Sequence, residues 1–310
     1  MSRSNALIYA TRRSPLALIQ CRTFVGRLRA LAASSPGEAA AELELEELQV
    51  VTSGDRIQDR PLSDVGGKGL FVKEIEEALL DRRADFAVHS MKDLPAELPP
   101  ELVVTCIPER QDARDVLVAP SHGSIQALPP GARVGTASLR RRIALKQHRP
   151  DLRVESVRGN VDTRLRKVDA GDYDAVVLAR AGLARLGLEH RISEVLSPDI
   201  CLPAVGQGAL AIECRKDDMR TRTLLALAHH LVTATCVAAE RGVLAAVGGD
   251  CKTPLGAYAE PVGDFLRLRG FLAHPDGSSL RTLERRVRWP ASEDEAHRIG
   301  RAAGLALREA

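Results

Sequence analysis

A chain of 310 residues is longer than a single hydrophobic core usually serves, so two or three domains are expected. Hydrophobic residues at 45% and charged residues at 27% are the proportions of an ordinary globular chain. An aromatic share of 3% argues against a protein that stacks nucleic-acid bases, and a net charge of +3 is small for a nucleic-acid binder. No stretch approaches 18 apolar residues, and Met1 to Tyr9 does not have the pattern of a secretory leader, so a cytoplasmic protein without membrane partners is expected. Of the 44 basic residues 37 are Arg, whose rigid fork matches carboxylates and phosphates bidentately. The six cysteines (Cys21, Cys106, Cys201, Cys214, Cys236, Cys251) form no Cys-x-x-Cys pair and no zinc spacing, so neither a metal site nor a disulfide framework is expected.

In chain order, Ala6 to Ala10 reads as a buried strand. Ser14-Pro15 then reads as a cap with proline in the first turn, opening a helix to about Leu31. Leu43 to Val51 alternates as a strand. Gly66-Gly67-Lys68-Gly69 is a turn leading into an amphipathic helix, Leu70 to Leu80. A strand at Phe86 to Val88 runs into His89-Ser90-Met91-Lys92-Asp93, and Leu102 to Ile107 is another. From Asp115 the pattern repeats. Strands are expected at 116–119, 134–136, 154–157 and 175–178, with helices at 138–148, 161–170 and about 181–186. Such alternation argues for an α/β protein with mostly parallel or mixed sheets covered on both faces. Leu210 to Glu213 reads as a strand returning to the first domain. The last third differs: one Ala-rich helical stretch from Leu224 to Val247, a meander at 258–260, 265–272 and 280–287, and a closing helix at 293–309. This is a small C-terminal α+β domain.

Several strand-to-helix junctions carry anion-binding chemistry. Thr136-Ala137-Ser138 precedes Arg140 and Arg141, which add positive charge to a first helical turn, where only a negative partner makes it favourable. The plain alternative is a serine cap with solvated arginines. Arg158-Gly159-Asn160 leads to Arg164 at a second junction, and Arg12 and Ser14 stand at a third. Lys68 lies in the Gly-rich turn, which lacks P-loop spacing. Ligands of α/β sheets bind beyond the carboxyl ends of strands, so these junctions imply one cleft for a ligand with several carboxylates or phosphates. Asp93 follows a strand end, either as a turn residue or as a carboxylate able to stabilise developing positive charge. Cys251 lies in a Gly/Pro-rich turn, unlike the other five cysteines, and is the candidate nucleophile or attachment point.

Taken together, the ordered motifs resemble the porphobilinogen deaminase (hydroxymethylbilane synthase) family. They include Ala10 to Arg12 with Ser14 to Leu18, GGKGLFVK at 66–73, DFAVHSMKD at 85–93, and Thr136 to Arg141. They continue with Arg158 to Asn160, Thr163 to Leu165, Ala181 to Leu183 with Arg185, LPAVGQG at 202–208, and the Cys251 turn.

The resemblance implies two lobes similar to periplasmic binding proteins and a third domain bearing a cofactor cysteine. The corresponding segments are 1–110 with 207–226, then 111–206, then 227–310. It implies a covalent dipyrromethane held to Cys251 by a thioether in a monomeric transferase of haem biosynthesis. That enzyme condenses four porphobilinogens with loss of ammonia and then releases linear hydroxymethylbilane. Asp93 matches the catalytic aspartate. Arg12, Ser14, Lys68, Lys92, Thr136, Ser138, Arg140, Arg141, Arg158, Arg164, Arg185 and Gln207 match binding positions. Three positions depart from the common pattern: Asp64 where Lys is frequent, Ala137 where Ser is frequent, and Asp250 directly before the cysteine. The alternative reading is a two-lobed binding protein for a small polycarboxylate, without catalysis.

Overall fold

The structure, a computed structural model, describes residues 6–35, 43–56, 69–248 and 253–309. Lys68 and Cys251, together with Asp64 and Asp250, lie outside the described residues. The chain forms two compact units: residues 1–110 with 209–234, and residues 111–208 with 235–310.

The first unit is built on β1 (Leu7–Arg12), β2 (Leu45–Val50), β3 (Phe86–Ser90), β4 (Leu102–Cys106) and β10 (Leu210–Arg215), in the order β2-β1-β3-β10-β4. The first three are mutually parallel, and β10 runs antiparallel to both β3 and β4. Alternate residues of a strand face opposite sides. Leu7, Tyr9, Phe86 and Val88 therefore pack with Phe24, Val25 and Leu28 of α1 (Pro15–Ala33) on one face. Ala10 and Ala87 meet Ile75, Ala78 and Leu79 of α3 (Lys73–Leu80) on the other. A sheet covered on both faces needs apolar residues in every register, which explains the near-continuous apolar strands. A short helix, α2 (Ser53–Arg56), follows β2 and has no signal in the hydrophobic periodicity.

The second unit contains a sheet of similar plan. Its strands β5 (Asp115–Val118), β6 (Arg133–Gly135), β7 (Arg153–Glu155), β8 (Ala175–Ala179) and β9 (Glu194–Val195) lie in the order β7-β6-β8-β5-β9. β6, β7 and β8 are parallel, and β5 is antiparallel to β8 and β9. The helices α4 (Leu139–His148), α5 (Val161–Asp169) and α6 (Arg180–Arg185) cover its faces. The two-residue strand β9 is too short to leave a period-2 signature in the sequence.

The helical stretch expected over 224–247 is instead two helices, α7 (Met219–Ala226) and α8 (Leu231–Val247), separated by a break at 227–230. The break has a tertiary cause. The His230 amide donates to the Ile107 carbonyl at 2.8 Å, and the Ile107 amide donates to His229 Nδ1 at 3.3 Å. Bonds to the end of β4 thus replace helical ones.

The second unit also holds an antiparallel sheet of β11 (Leu255–Val262), β12 (Phe265–Leu272) and β13 (Arg281–Arg288), covered by α8 and α9 (Glu293–Glu309). α8 and α9 approach closely at small residues. A Cβ on Gly300 would overlap the Ala239 carbonyl, and one on Gly304 would lie 2.7 Å from the Val243 carbonyl oxygen. Replacing Gly300 by Ala therefore forces the helices apart. The expected cost is ~1–3 kcal/mol, read from the shift in urea midpoint at unchanged m-value; an unshifted midpoint would show that the crossing relaxes freely.

Candidate functional site

In the first unit, the functional side chains follow the carboxyl ends of two adjacent parallel strands, in the register Ala10 opposite Ala87. Arg12 ends β1, and Ser14 caps α1 by accepting from the Ala17 amide at 3.3 Å. The Arg12 guanidinium donates from Nη2 and Nε to Asp55 at 2.5 and 3.3 Å and lies 4.1 Å from the centre of the Phe71 ring. Burial alone would raise the Asp55 pKa; the Arg12 charge and hydrogen bonds outweigh it and hold the carboxyl below its usual range.

β3 runs into a single 3-10 turn, Met91–Asp93, pinned on both sides. Ser90 Oγ donates to Gln20 Oε1 at 3.2 Å, and the Met91 amide donates to the Ala209 carbonyl at 3.0 Å. Met91 and Leu94 are buried while Lys92 and Asp93 between them are exposed. The turn therefore presents the Asp93 carboxylate on a fixed mount, and that carboxylate makes no ion pair among the described residues.

Just behind this turn, His89 Nε2 and Glu213 Oε2 approach to 3.0 Å with both side chains buried.

In the second unit, the loops and helices after β6, β7 and β8 all start from the same sheet edge. Thr136 is buried and its hydroxyl accepts from the Ser138 amide at 3.2 Å; Ser138 caps α4 by accepting from the Arg141 amide at 3.4 Å. Ala137 between them is exposed.

The first-turn charges find their negative partner inside the protein. Asp115, with no exposed surface, places Oδ2 2.7 Å from Arg140 Nη1, while Oδ1 accepts from Arg141 Nε at 3.1 Å and Nη2 at 2.7 Å. Arg140 also donates to the Leu202 carbonyl, and Arg141 to the Val177 carbonyl at 3.0 Å. Gln207 Nε2 donates to Asp115 Oδ1 at 2.8 Å and the Cys201 thiol to Oδ2 at 3.1 Å. Burial alone would raise the Asp115 pKa; two guanidinium charges overcome this and hold it far below the usual carboxylate range. Arg140 and Arg141 are thus neither solvated nor awaiting an external anion as their only partner. A lone Asp at the head of an apolar strand gave no hint of this from sequence alone.

Three other arginines differ. Arg164 spends Nε on the Gly159 carbonyl at 2.9 Å, Arg185 spends Nη2 on the Gly208 carbonyl at 2.7 Å, and none of Arg158, Arg164 and Arg185 has a carboxylate partner among the described residues. Burial pushes the Arg185 pKa down to about 10. Burial, and next the charge of Arg141, does the same for Arg164. Glycines at positive φ shape these turns: Gly159 at +100° and Gly208 at +88°, the latter pressed against the Gln111 carbonyl. Positive charge without a counter-charge marks a seat for an anion.

Of the cysteines in the described residues, all five are buried, and burial pushes the thiols of Cys21, Cys106, Cys201 and Cys214 up to about 12. None of these four has the lowered pKa of a nucleophile.

Comparison with known proteins agrees with this chemistry. Residues 7–223 match "Porphobilinogen deaminase, dipyromethane cofactor binding domain", and residues 234–309 match "Porphobilinogen deaminase, C-terminal domain". The chain is 59% identical over 303 residues to a porphobilinogen deaminase of Sorangium cellulosum (strain So ce56), covering 98% of each chain. The chain belongs to the porphobilinogen deaminase family.

Among solved structures it is also similar to the periplasmic VFT2 domain of Bordetella pertussis BvgS, at TM-score 0.41 and 15% identity over 71% of this chain and 86% of that one. Similarity to the periplasmic aliphatic sulphonate binding protein SsuA from Escherichia coli is at TM-score 0.41 and 13% identity, over 78% and 70%. As a member of the porphobilinogen deaminase family, the chain carries the dipyrromethane cofactor binding domain over residues 7–223. The residues fit such a group: acetate and propionate side chains on each pyrrole ring would supply carboxylates of the kind that Arg158, Arg164 and Arg185 lack among the described residues.

Asp115 should behave as a buried counter-ion. Asp115→Ala leaves two guanidinium groups buried and unpaired, an expected loss of ~3–5 kcal/mol in denaturant unfolding. Its depressed folded pKa means that the stabilisation is full above the unfolded carboxylate value of about 3.9 and fades as pH falls below it. The gap between wild type and Asp115→Asn should therefore be constant from pH 5 to 8 and shrink below about pH 4. A gap that widens in acid would contradict the assignment.

Proposed function

We propose that this chain is a hydroxymethylbilane-forming transferase: it joins four porphobilinogens head to tail, releasing one ammonia at each addition, and then releases the linear tetrapyrrole by hydrolysis. The observation that supports this reading most directly is the set of arginines at the β7 and β8 junctions with no internal carboxylate. The growing chain is a polyanion, and each guanidinium can hold one of its carboxylates bidentately. A bound dipyrromethane supplies the pyrrole whose free α-carbon accepts the first unit. We place its thioether at Cys251, because the five cysteines in the described residues are buried.

Asp93 carries the chemistry in this reading. When the aminomethyl C–N bond of porphobilinogen breaks, electron density moves from the ring nitrogen, which becomes positive. A fixed carboxylate beside that N–H lowers the barrier because it is already oriented when the charge develops. A new C–C bond then forms to the α-carbon of the acceptor ring, which loses its proton. Arg12, Lys68, Lys92, Arg158, Arg164 and Arg185 hold carboxylates, so that the reacting carbons meet in register. Thr136, Ser138 and Gln207 shape the second-unit junction, with Arg140 and Arg141 held on Asp115. We take the protein to be monomeric and cytoplasmic. The alternative, a polycarboxylate-binding protein without catalysis, rests on likeness of fold alone.

Intact mass tests the core of the reading. Purified protein should exceed its sequence mass by one dipyrromethane, and Cys251→Ser should not; equal masses after exposure of the apoprotein to porphobilinogen would sink it. Asp93→Ala should keep the cofactor mass and lose ~100-fold or more in turnover, the scale of one electrostatic or acid–base group. Arg164→Leu and Arg185→Leu should each slow elongation while the unfolding midpoint holds or rises, because each removes a half-buried, unneutralised charge; unchanged elongation would remove these residues from the binding set.

A further inference from the structure

The Arg12 guanidinium sits in a slot whose walls are tied together. One wall is Asp55, which takes Nε and Nη2 along one edge of the guanidinium. The other is the Phe71 ring, 4.1 Å away and against its face. Asp55 is itself held, since Thr52 Oγ1 donates to its Oδ2 at 2.7 Å and the Asp55 amide donates back to Thr52 Oγ1 at 3.3 Å. The two walls are joined by the Gly54 amide, which donates to the Leu70 carbonyl at 2.7 Å, and by the Ser53 amide, which donates to Glu74 Oε1 at 2.8 Å. Position 54 must be glycine for a steric reason: a Cβ there would overlap the Phe71 ring.

A guanidinium has five N–H groups in a fixed plane. Here one edge is occupied and one face is covered, while Nη1 makes no hydrogen bond among the described residues. Both side chains of the pair keep about a fifth of their surface exposed, 22% for Arg12 and 21% for Asp55, so the assembly borders solvent rather than filling core. An arginine on a flexible stem would lose rotamer freedom on binding a carboxylate; one already clamped loses little.

We propose that Asp55 is a positioning residue that, with Phe71 and Gly54, orients Arg12 so that its Nη1 edge meets a carboxylate of porphobilinogen or of the growing chain. The inference rests on the reading of Arg12 as a carboxylate-binding residue. Asp55 does not touch the substrate; it acts through Arg12.

A double-mutant cycle on holoprotein separates the possibilities. The variants are Asp55→Asn, Arg12→Lys and their combination, each checked for cofactor by intact mass. The readouts are KM and kcat for porphobilinogen and, independently, the rate at which apoprotein gains the cofactor mass. Asp55→Asn keeps the shape and removes the charge. It should raise KM on the order of 10-fold, short of the ~100-fold that a 1 Å misplacement costs. Lysine has no fork to be oriented, so in the Arg12→Lys background the same substitution should change KM less than about twofold.

Equal fold-changes in both backgrounds would overturn the inference, because Asp55 would then act independently of Arg12. A lowered KM in Asp55→Asn would also overturn it, since Asp55 would then compete with the substrate for Arg12. If Asp55→Asn fails to fold, Phe71→Leu, which keeps the ion pair and removes the ring, provides the second cycle with the same expected coupling. Arg12→Leu with unchanged KM, kcat and cofactor gain would instead refute the carboxylate role of Arg12, an outcome distinct from additivity.

Discussion

One buried carboxylate governs the second unit. Asp115 sits at the head of β5 with no exposed surface, and two guanidinium groups converge on it from the first turn of α4. Like charges at adjacent positions repel, and a helix N-terminus repels them further. Only a negative charge placed between them makes the arrangement tolerable in a dry interior. Gln207 and Cys201 then complete the hydrogen bonding of that carboxylate, joining the loop before β10 and the segment after β9 to the same point. The start of α4, the strand β5 and the Gly-flanked 206–208 turn are therefore fixed relative to one another by a single ionic centre.

That centre also divides the arginines by task. Those with an internal carboxylate, Arg140 and Arg141, stabilise the protein before any ligand arrives. Those bonded only to backbone carbonyls, Arg164 and Arg185, keep a charge that no carboxylate among the described residues neutralises. A carbonyl orients a guanidinium without cancelling its charge, so the side chain is aimed while its attraction for an anion remains. In the first unit Arg12 takes a middle course, with one edge neutralised by Asp55 and the other left open.

Much of this was readable from the sequence because the junctions use local chemistry. Ser14, Ser138 and Asn160 each act as the cap that their residue type and position suggest. The strands β3, β5 and β8 were legible because both of their faces are buried, which writes an apolar run into the chain. What stayed hidden depends on partners far apart. Asp115 and Arg141 are separated by 26 positions, and nothing local distinguishes Asp115 from an ordinary turn residue. The break between α7 and α8 was missed because its cause, the end of β4, lies more than a hundred residues upstream. Asp55 falls on a four-residue helix with no periodicity to read. Lys68 and Cys251 remain readings of sequence and family, since both fall outside the described residues.

The placement of β10 has a consequence for the order of assembly. In the first sheet it lies between β3 and β4, yet it is made about a hundred residues after either. As the chain emerges from the ribosome, β1 to β4 precede the strand that must join them, and β4 has no neighbour until residue 210 is available. The sheet of the second unit has all five of its strands by residue 195. The later-encoded sheet can therefore close first, while the earlier one waits with two exposed strand edges. Unpaired edges of this kind recruit other chains. The interval between synthesis of β4 and of β10 is thus the period in which this protein most depends on being shielded from its neighbours.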